Sequence, residues 1–176
     1  EAEADAIKFQ LFRADILYPS KTGLYDLFKS IELNPDWIPQ LMDYAKKSGI
    51  HFTASAFDFE SINVLEAVGV PFHKIASSEA SKLSLVHRIA STGKPVAIST
   101  GMCDMVDVEE AVNVCTDVGN DRIILMQCGT MYPLPPELVA AQAAIESAWG
   151  ESRFATEGFN LFGHQCYSSG CGIKPQ

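Results

Sequence analysis

The chain has 176 residues, 47% apolar and 20% charged, with a net charge of −9, enough for one domain with a real core. That acidity excludes a nucleic-acid surface, which needs basic stripes, but not an anionic small molecule held by a few local lysines. No apolar run approaches the roughly 18 residues of a membrane span, and the acidic opening EAEADAIKFQ lacks signal-peptide character, so the expectation is a cytoplasmic chain, without a membrane partner, read from the middle of a domain.

In chain order, the strand-like segments are 5–9 (DAIKF), 51–55 (HFTAS), 72–76 (FHKIA), 95–99 (PVAIS) and 122–128 (RIILMQC). They are short and mostly continuous in apolar character, as parallel strands covered on both faces are. Helical patterns fall near 37–48, 59–68, 81–91 and 106–117. In the second, Ile62, Leu65 and Val68 make an apolar stripe with polar flanks. Each helix ends in the same way, as AKKSGIHF, LEAVGVPF, IASTGKPV and CTDVGNDR, placing Gly49, Gly69, Gly93 and Gly119 just past a helix and just before a strand. A glycine there caps a helix in the left-handed conformation. Strands alternating with single helices predict a parallel sheet with right-handed crossovers, either a (β/α) barrel or an open doubly wound sheet.

Polar residues favour the barrel. They gather at the C-terminal end of every strand: Lys8 and Gln10; Ser55 and Asp58; Lys74, Ser77 and Glu79; Ser99 and Thr100; Gln127, Thr130 and Tyr132. In a barrel these ends meet at one mouth, whereas an open sheet gathers them at a single switch point. Neither GxGxxG nor GxxxxGK[ST] is present. The fold class is therefore α/β, a partial TIM (β/α) barrel of about five parallel strands followed by a helix and a loop-rich tail. Unclosed, it leaves edge strands bare, and self-association is the physical expectation.

Lysine is depleted in strands, yet Lys8 and Lys74 each interrupt an apolar one. A single such lysine is readily explained by an amine that reaches water past a packed stem. Two at one predicted mouth, with hydroxyls from Ser55, Ser77 and Ser99 at three consecutive strand ends, suit a carboxylate or phosphate. Glu79, five residues past Lys74, reads either as a general acid/base or as a first-turn helix carboxylate. His51, His73 and His87 share no paired spacing and read as structural. Cys103, Cys115 and Cys128 read as reduced, mostly buried thiols, while Cys166 and Cys171 form a disulfide or stay free according to compartment. Zinc-type spacing is absent.

The motifs AIKFQ, ASAFD, HKIASSE, VAISTGM and LMQCGTMYPLPPE, in order and spacing, resemble the N-acetylneuraminate (sialic acid) synthase family from Ala4 to Glu137. The resemblance implies a TIM barrel that condenses phosphoenolpyruvate with an N-acetylmannosamine-type sugar, a transferase of sialic acid and carbohydrate biosynthesis. It places Lys8, Ser55, Lys74, Ser77 and Ser99 at phosphoenolpyruvate, Gln10 and Tyr132 at the substrate, and Glu79 at the acid serving condensation. Thr130 stands where some members carry Asn. A divalent metal (Mn or Mg) is implied, but the family's metal-binding histidines have no counterpart here, so no metal ligand is assigned. The family's first strand, with its Glu-Ile-Gly motif, and its small C-terminal antifreeze-like domain are also unmatched, so the chain alone is expected to be inactive or a poor catalyst. The resemblance leaves a homodimer open.

The tail departs in style. AAQAAIESAWGESRFA, NLFG and GCG resemble the glucosaminidase domain of Bax-like peptidoglycan hydrolases, in which the glutamate matching Glu146 is the catalytic acid. Leu138, Ala141, Ile145 and Trp149 share one helical face, with Gln142 and Glu146 together on its flank; a carboxyl beside Trp149 is partly desolvated, which favours its acid form. Without that resemblance Glu146 is an ordinary helix glutamate. Two partial families are thus expected to meet near residues 133–140, with 1–134 synthase-like and 135–176 glucosaminidase-like. Three functions follow: the synthase, a peptidoglycan N-acetylglucosaminidase fragment, or a non-catalytic fragment.

Overall fold

The computed structural model describes residues 4–18 and 23–128. The chain divides into two units, Glu1–Thr130 and Met131–Gln176, and every described residue belongs to the first. Five strands form one sheet: β1 (Ala6–Leu11), β2 (His51–Ala56), β3 (His73–Ile75), β4 (Val96–Ser99) and β5 (Ile123–Met126). All neighbours pair in parallel and in sequential order, β1-β2-β3-β4-β5. This order separates the two layouts. A doubly wound sheet reverses its strand order at a switch point; an order that only advances, with crossovers of one hand, keeps the helices on one side and leaves an inner face. The sheet is a partial (β/α) barrel.

Helices α3 (Ile38–Lys47), α4 (Phe59–Val68), α5 (Leu83–Ala90) and α6 (Met105–Asp117) fall close to the expected spans. Local chemistry sets their ends. The Asp58 carboxylate accepts the Ser61 N–H at 2.8 Å to cap α4, and Asp104 and Asp107 form a reciprocal capping box on α6. All four expected glycines have positive φ; Gly69, at 75°, ends α4 in the left-handed cap that only glycine enters without strain. The helix expected over 81–91 starts later, because residues Ser77–Glu79 first make a 3-10 turn.

Two helices were not expected: α1 (Ala14–Leu17) and α2 (Gly23–Ser30). The reason is physical. α1 is one turn long, and α2 buries none of its residues, so neither carries a core stripe. Polar and aromatic contacts join them: Tyr25 Oη donates to Asp15 at 2.7 Å, Lys29 Nζ reaches Asp15 at 3.2 Å and Glu32 at 2.9 Å, and the Phe28 ring centroid lies 4.5 Å from that of Tyr18.

The side-chain period of two along each strand assigns the faces. Outward, Phe52, Ala54, Ile75, Val96 and Ile98 join Ile38, Ile62, Leu65, Val86, Ile89 and Cys115 in one buried core. At the edges, Ile7 of β1 and Ile124, Leu125 and Met126 of β5 are exposed. At the N-terminal ends of the strands, buried Asn120 bridges three segments: Nδ2 donates to Ala90 O (3.0 Å) and Lys94 O (2.8 Å), and Oδ1 accepts from Arg122 N–H (3.2 Å).

His73 points outward and is fully buried. Its Nε2–H donates to Glu66 Oε1 at 2.8 Å, and Lys94 Nζ donates to the same oxygen at 2.7 Å. Nδ1 is buried without a hydrogen-bond partner among the described residues. Burial pushes the His73 pKa below its ordinary 6.5; Glu66 opposes that shift, while the charges of Lys94 and Arg88 add to it. The folded state thus takes up the His73 proton at lower pH than the unfolded chain, so stability is complete above the unfolded pKa and falls as pH drops below it. Urea unfolding between pH 7.5 and 5.0 should show this loss, and His73→Gln should flatten the slope in that window.

Candidate functional site

The inner face carries the polar residues. Strand register places Gln10 beside Ser55, Ser55 beside Lys74, Lys74 beside Ala97 and Ala97 beside Ile124. Lys8, the third of six residues of β1 and not at its C-terminal end as expected, is two residues before Gln10, and Ser99 is two after Ala97, so both share this face. Lys8, Gln10, Ser55, Lys74 and Ser99 therefore project from one side of four adjacent strands. Lys8 and Lys74 are separated by β2 alone, roughly 10 Å between strand axes.

Lys74 is only 9% exposed. Its Nζ donates to Ile75 O at 2.7 Å and to Ser99 Oγ at 2.5 Å. Burial lowers its pKa from 10.5 to about 8; Cys128 acts in the opposite direction, and the charge of Lys8 pushes it down further. The two amines therefore sense each other across the inner face. Lys8 is exposed, and partial burial holds its pKa below the usual lysine value.

Ser99 is 8% exposed and Ser55 is buried. Ser77 sits at the start of the 3-10 turn after β3, where its Oγ accepts the Gly101 N–H at 3.1 Å, tying that turn to the loop after β4. Gln10, at the end of β1, lines a cavity of about 510 Å³ with Phe9, Phe12, Phe28, Glu32 and Trp37.

Glu79 is 2% exposed and lies in the 3-10 turn rather than in the first turn of α5. Ser78 Oγ donates to its Oε1 at 3.2 Å, and Lys82 Nζ stands 2.6 Å from Oε2. That Lys82 contact is an ion pair without hydrogen-bond alignment, since Oε2 has no directed partner. The helix-dipole reading of Glu79 is thus replaced by a buried carboxylate neutralised by Lys82. Asp58, read among the mouth residues, caps α4 and pairs with Arg13 at 3.4 Å. Thr130, Tyr132, Glu146, Cys166 and Cys171 lie outside the described residues.

Cys128 and Gly101 belong to this site and were not singled out from the sequence. Cys128 is half-buried, and its Sγ donates to Ser99 Oγ at 3.2 Å. A Cβ on Gly101 would stand 2.3 Å from Cys128 O, so the two backbones touch there. The placement of Ser99 as the last residue of β4 in AISTG, and of Cys128 two residues past β5 in LMQCG, was the available signal.

Among the described residues, no group of three or more His, Cys, Asp or Glu could hold a metal ion. These residues do not fit the divalent metal that the resemblance implies, and no step is routed through one. No helix among them is long and apolar enough to cross a membrane.

Known proteins resemble this chain in sequence and fold. The profile described as the NeuB family matches residues 1–147, and that of mannosyl-glycoprotein endo-beta-N-acetylglucosaminidase matches residues 124–174. An uncharacterised protein of Methanocaldococcus jannaschii is 41% identical, over 80% of this chain and 42% of its own length. The N,N'-diacetyllegionaminic acid synthase of Legionella pneumophila is 34% identical, over 76% of this chain and 42% of its own. The crystal structure of N-acetylneuraminic acid synthetase from Leptospira borgpetersenii, in complex with citrate, superposes with a TM-score of 0.74 at 29% identity, covering 84% of this chain and 51% of that one. The chain spans less than half the length of these curated relatives.

A buried amine held at such a low pKa costs stability while charged. The folded state loses its proton near 8, the unfolded chain near 10.5, so stability rises with pH between those values as the penalty disappears. Lys74→Met should therefore raise stability at pH 7 by about 1–3 kcal/mol, and the gain should shrink by pH 10, as measured by urea unfolding.

Proposed function

The chain belongs to the NeuB family, that of sialic acid and related nonulosonic acid synthases, and from this premise we propose that its inner face binds phosphoenolpyruvate for condensation with an N-acetylmannosamine-type sugar. The observation that carries the reading is the buried Lys74 amine bonded to Ser99, with Lys8 near enough on the same face to shift its pKa. Two cations and a row of hydroxyls match a ligand bearing both a carboxylate and a phosphate. In the proposed reaction, carbon 3 of phosphoenolpyruvate forms a bond to the sugar aldehyde carbon. Water adds at carbon 2, phosphate leaves, and a nonulosonic acid results. Lys8 and Lys74 offset the anionic charge, Ser55, Ser77 and Ser99 donate to its oxygens, and Gln10 contacts the sugar. Glu79, Thr130 and Tyr132 are carried into this proposal by family resemblance.

The match over 124–174 supports a second reading for the C-terminal segment, peptidoglycan N-acetylglucosaminidase chemistry with Glu146 as the acid. The two matched ranges overlap over 124–147, which is compatible with the proposed meeting of two families near 133–140.

Isothermal titration of the chain with phosphoenolpyruvate tests the first reading. Lys74→Ala should weaken binding at least tenfold, since a hydrogen bond to a charged group contributes about 1.5–3 kcal/mol. Wild-type affinity should fall as pH rises through about 8, where Lys74 loses its charge; unchanged binding by Lys74→Ala would remove the reading. For the second, wild-type protein should clear a peptidoglycan zymogram and Glu146→Gln should not.

A further inference from the structure

The Ser99 hydroxyl has one proton to donate and two lone pairs to fill. Lys74 Nζ donates to one lone pair at 2.5 Å and Cys128 Sγ to the other at 3.2 Å. With both lone pairs occupied by neighbours in the protein, the hydroxyl proton points away from both. We propose that Cys128 is a positioning residue of the anion site, donating its S–H to Ser99 Oγ so that the Ser99 proton is presented to a ligand carboxylate or phosphate oxygen. The proposal rests on the phosphoenolpyruvate reading and names a group that this reading did not contain.

The alternative is a small side chain that merely fills space, and the geometry argues against it. Without the thiol, one Ser99 lone pair is open and the hydroxyl can rotate, spreading its proton over several directions. With it, the rotor has one satisfied orientation. The backbone also fixes Cys128. Thr100 N–H and Oγ1 both donate to Met126 O, at 3.0 and 3.2 Å, which holds the end of β5 against the loop after β4. Gly101 then lets Cys128 O approach to a distance no Cβ would permit. The thiol has a second acceptor in Met126 O at 3.4 Å, but Ser99 Oγ is closer. Ser77 shows a related arrangement, its Oγ accepting the Gly101 N–H and so retaining a proton to donate. One glycine thus seats both hydroxyls, Ser77 directly and Ser99 through Cys128.

The test pairs binding with spectroscopy on the full chain. Titration with phosphoenolpyruvate should give a Kd about three- to tenfold higher for Cys128→Ala and Cys128→Val, and within twofold of wild type for Cys128→Ser, which keeps a donor; melting temperatures check that each variant folds. A role in packing alone would make Val no worse than Ser. Independently, the Raman S–H band of Cys128, isolated as wild type minus Cys128→Ser, should shift to higher frequency in the Ser99→Ala background. If wild type binds and Cys128→Ala binds equally well, the positioning role is overturned and the anion site stands. If the S–H band ignores Ser99→Ala, the proposed hydrogen bond does not exist. If wild type fails to bind while the band responds, the phosphoenolpyruvate reading falls and takes the positioning role with it.

Discussion

A lysine amine buried in a parallel sheet is the constraint around which the inner face is organised. An ammonium out of water needs acceptors, and Lys74 finds two: the carbonyl of its neighbour Ile75 and the hydroxyl of Ser99 one strand away. The first exists because the short strand β3 ends there. The second requires a serine at the end of β4, in the register that sets Lys74 beside Ala97. Ser55, adjacent on β2, and Cys128, beyond Ser99, extend the polar row to either side. Remove the amine and these hydroxyls and the thiol have no common centre.

The opposite face explains how the sheet tolerates this. Side chains alternate, so β3 turns His73 and Ile75 outward while Lys74 turns in. Ile75 enters the aliphatic core. His73 takes its polar contact from Glu66 on α4, which also neutralises Lys94 just before β4. One carboxylate therefore answers two nitrogens on the helix side and leaves the charge of the inner face to the lysines. Glu79 is similarly committed to Lys82.

Much of this was legible in the sequence because it is periodic or out of place. Four glycines in equivalent positions marked the helix ends, and all four adopt the expected left-handed backbone. Two lysines inside apolar strands marked the inner face, since such residues need a reason to be there. The paired helices α1 and α2 were not legible, because α1 is a single turn and α2, eight residues long, follows no strand and buries none of its residues in the core. The Lys82 partner of Glu79 was hidden by the 3-10 turn that delays α5. Cys128 reads as a packed thiol because a cysteine just past an apolar strand looks like packing; its contact with Ser99 depends on which neighbour it meets, and spacing alone does not reveal that.

Asn120, just before β5 and level with the N-terminal end of β4, ties the end of α5, the approach to β4 and the start of β5 together through one amide. This amide tie is separate from the hydrogen bonds of the buried Lys74 amine. Loss of the Asn120 side chain would release three segments at once while leaving the contacts of Lys74 intact.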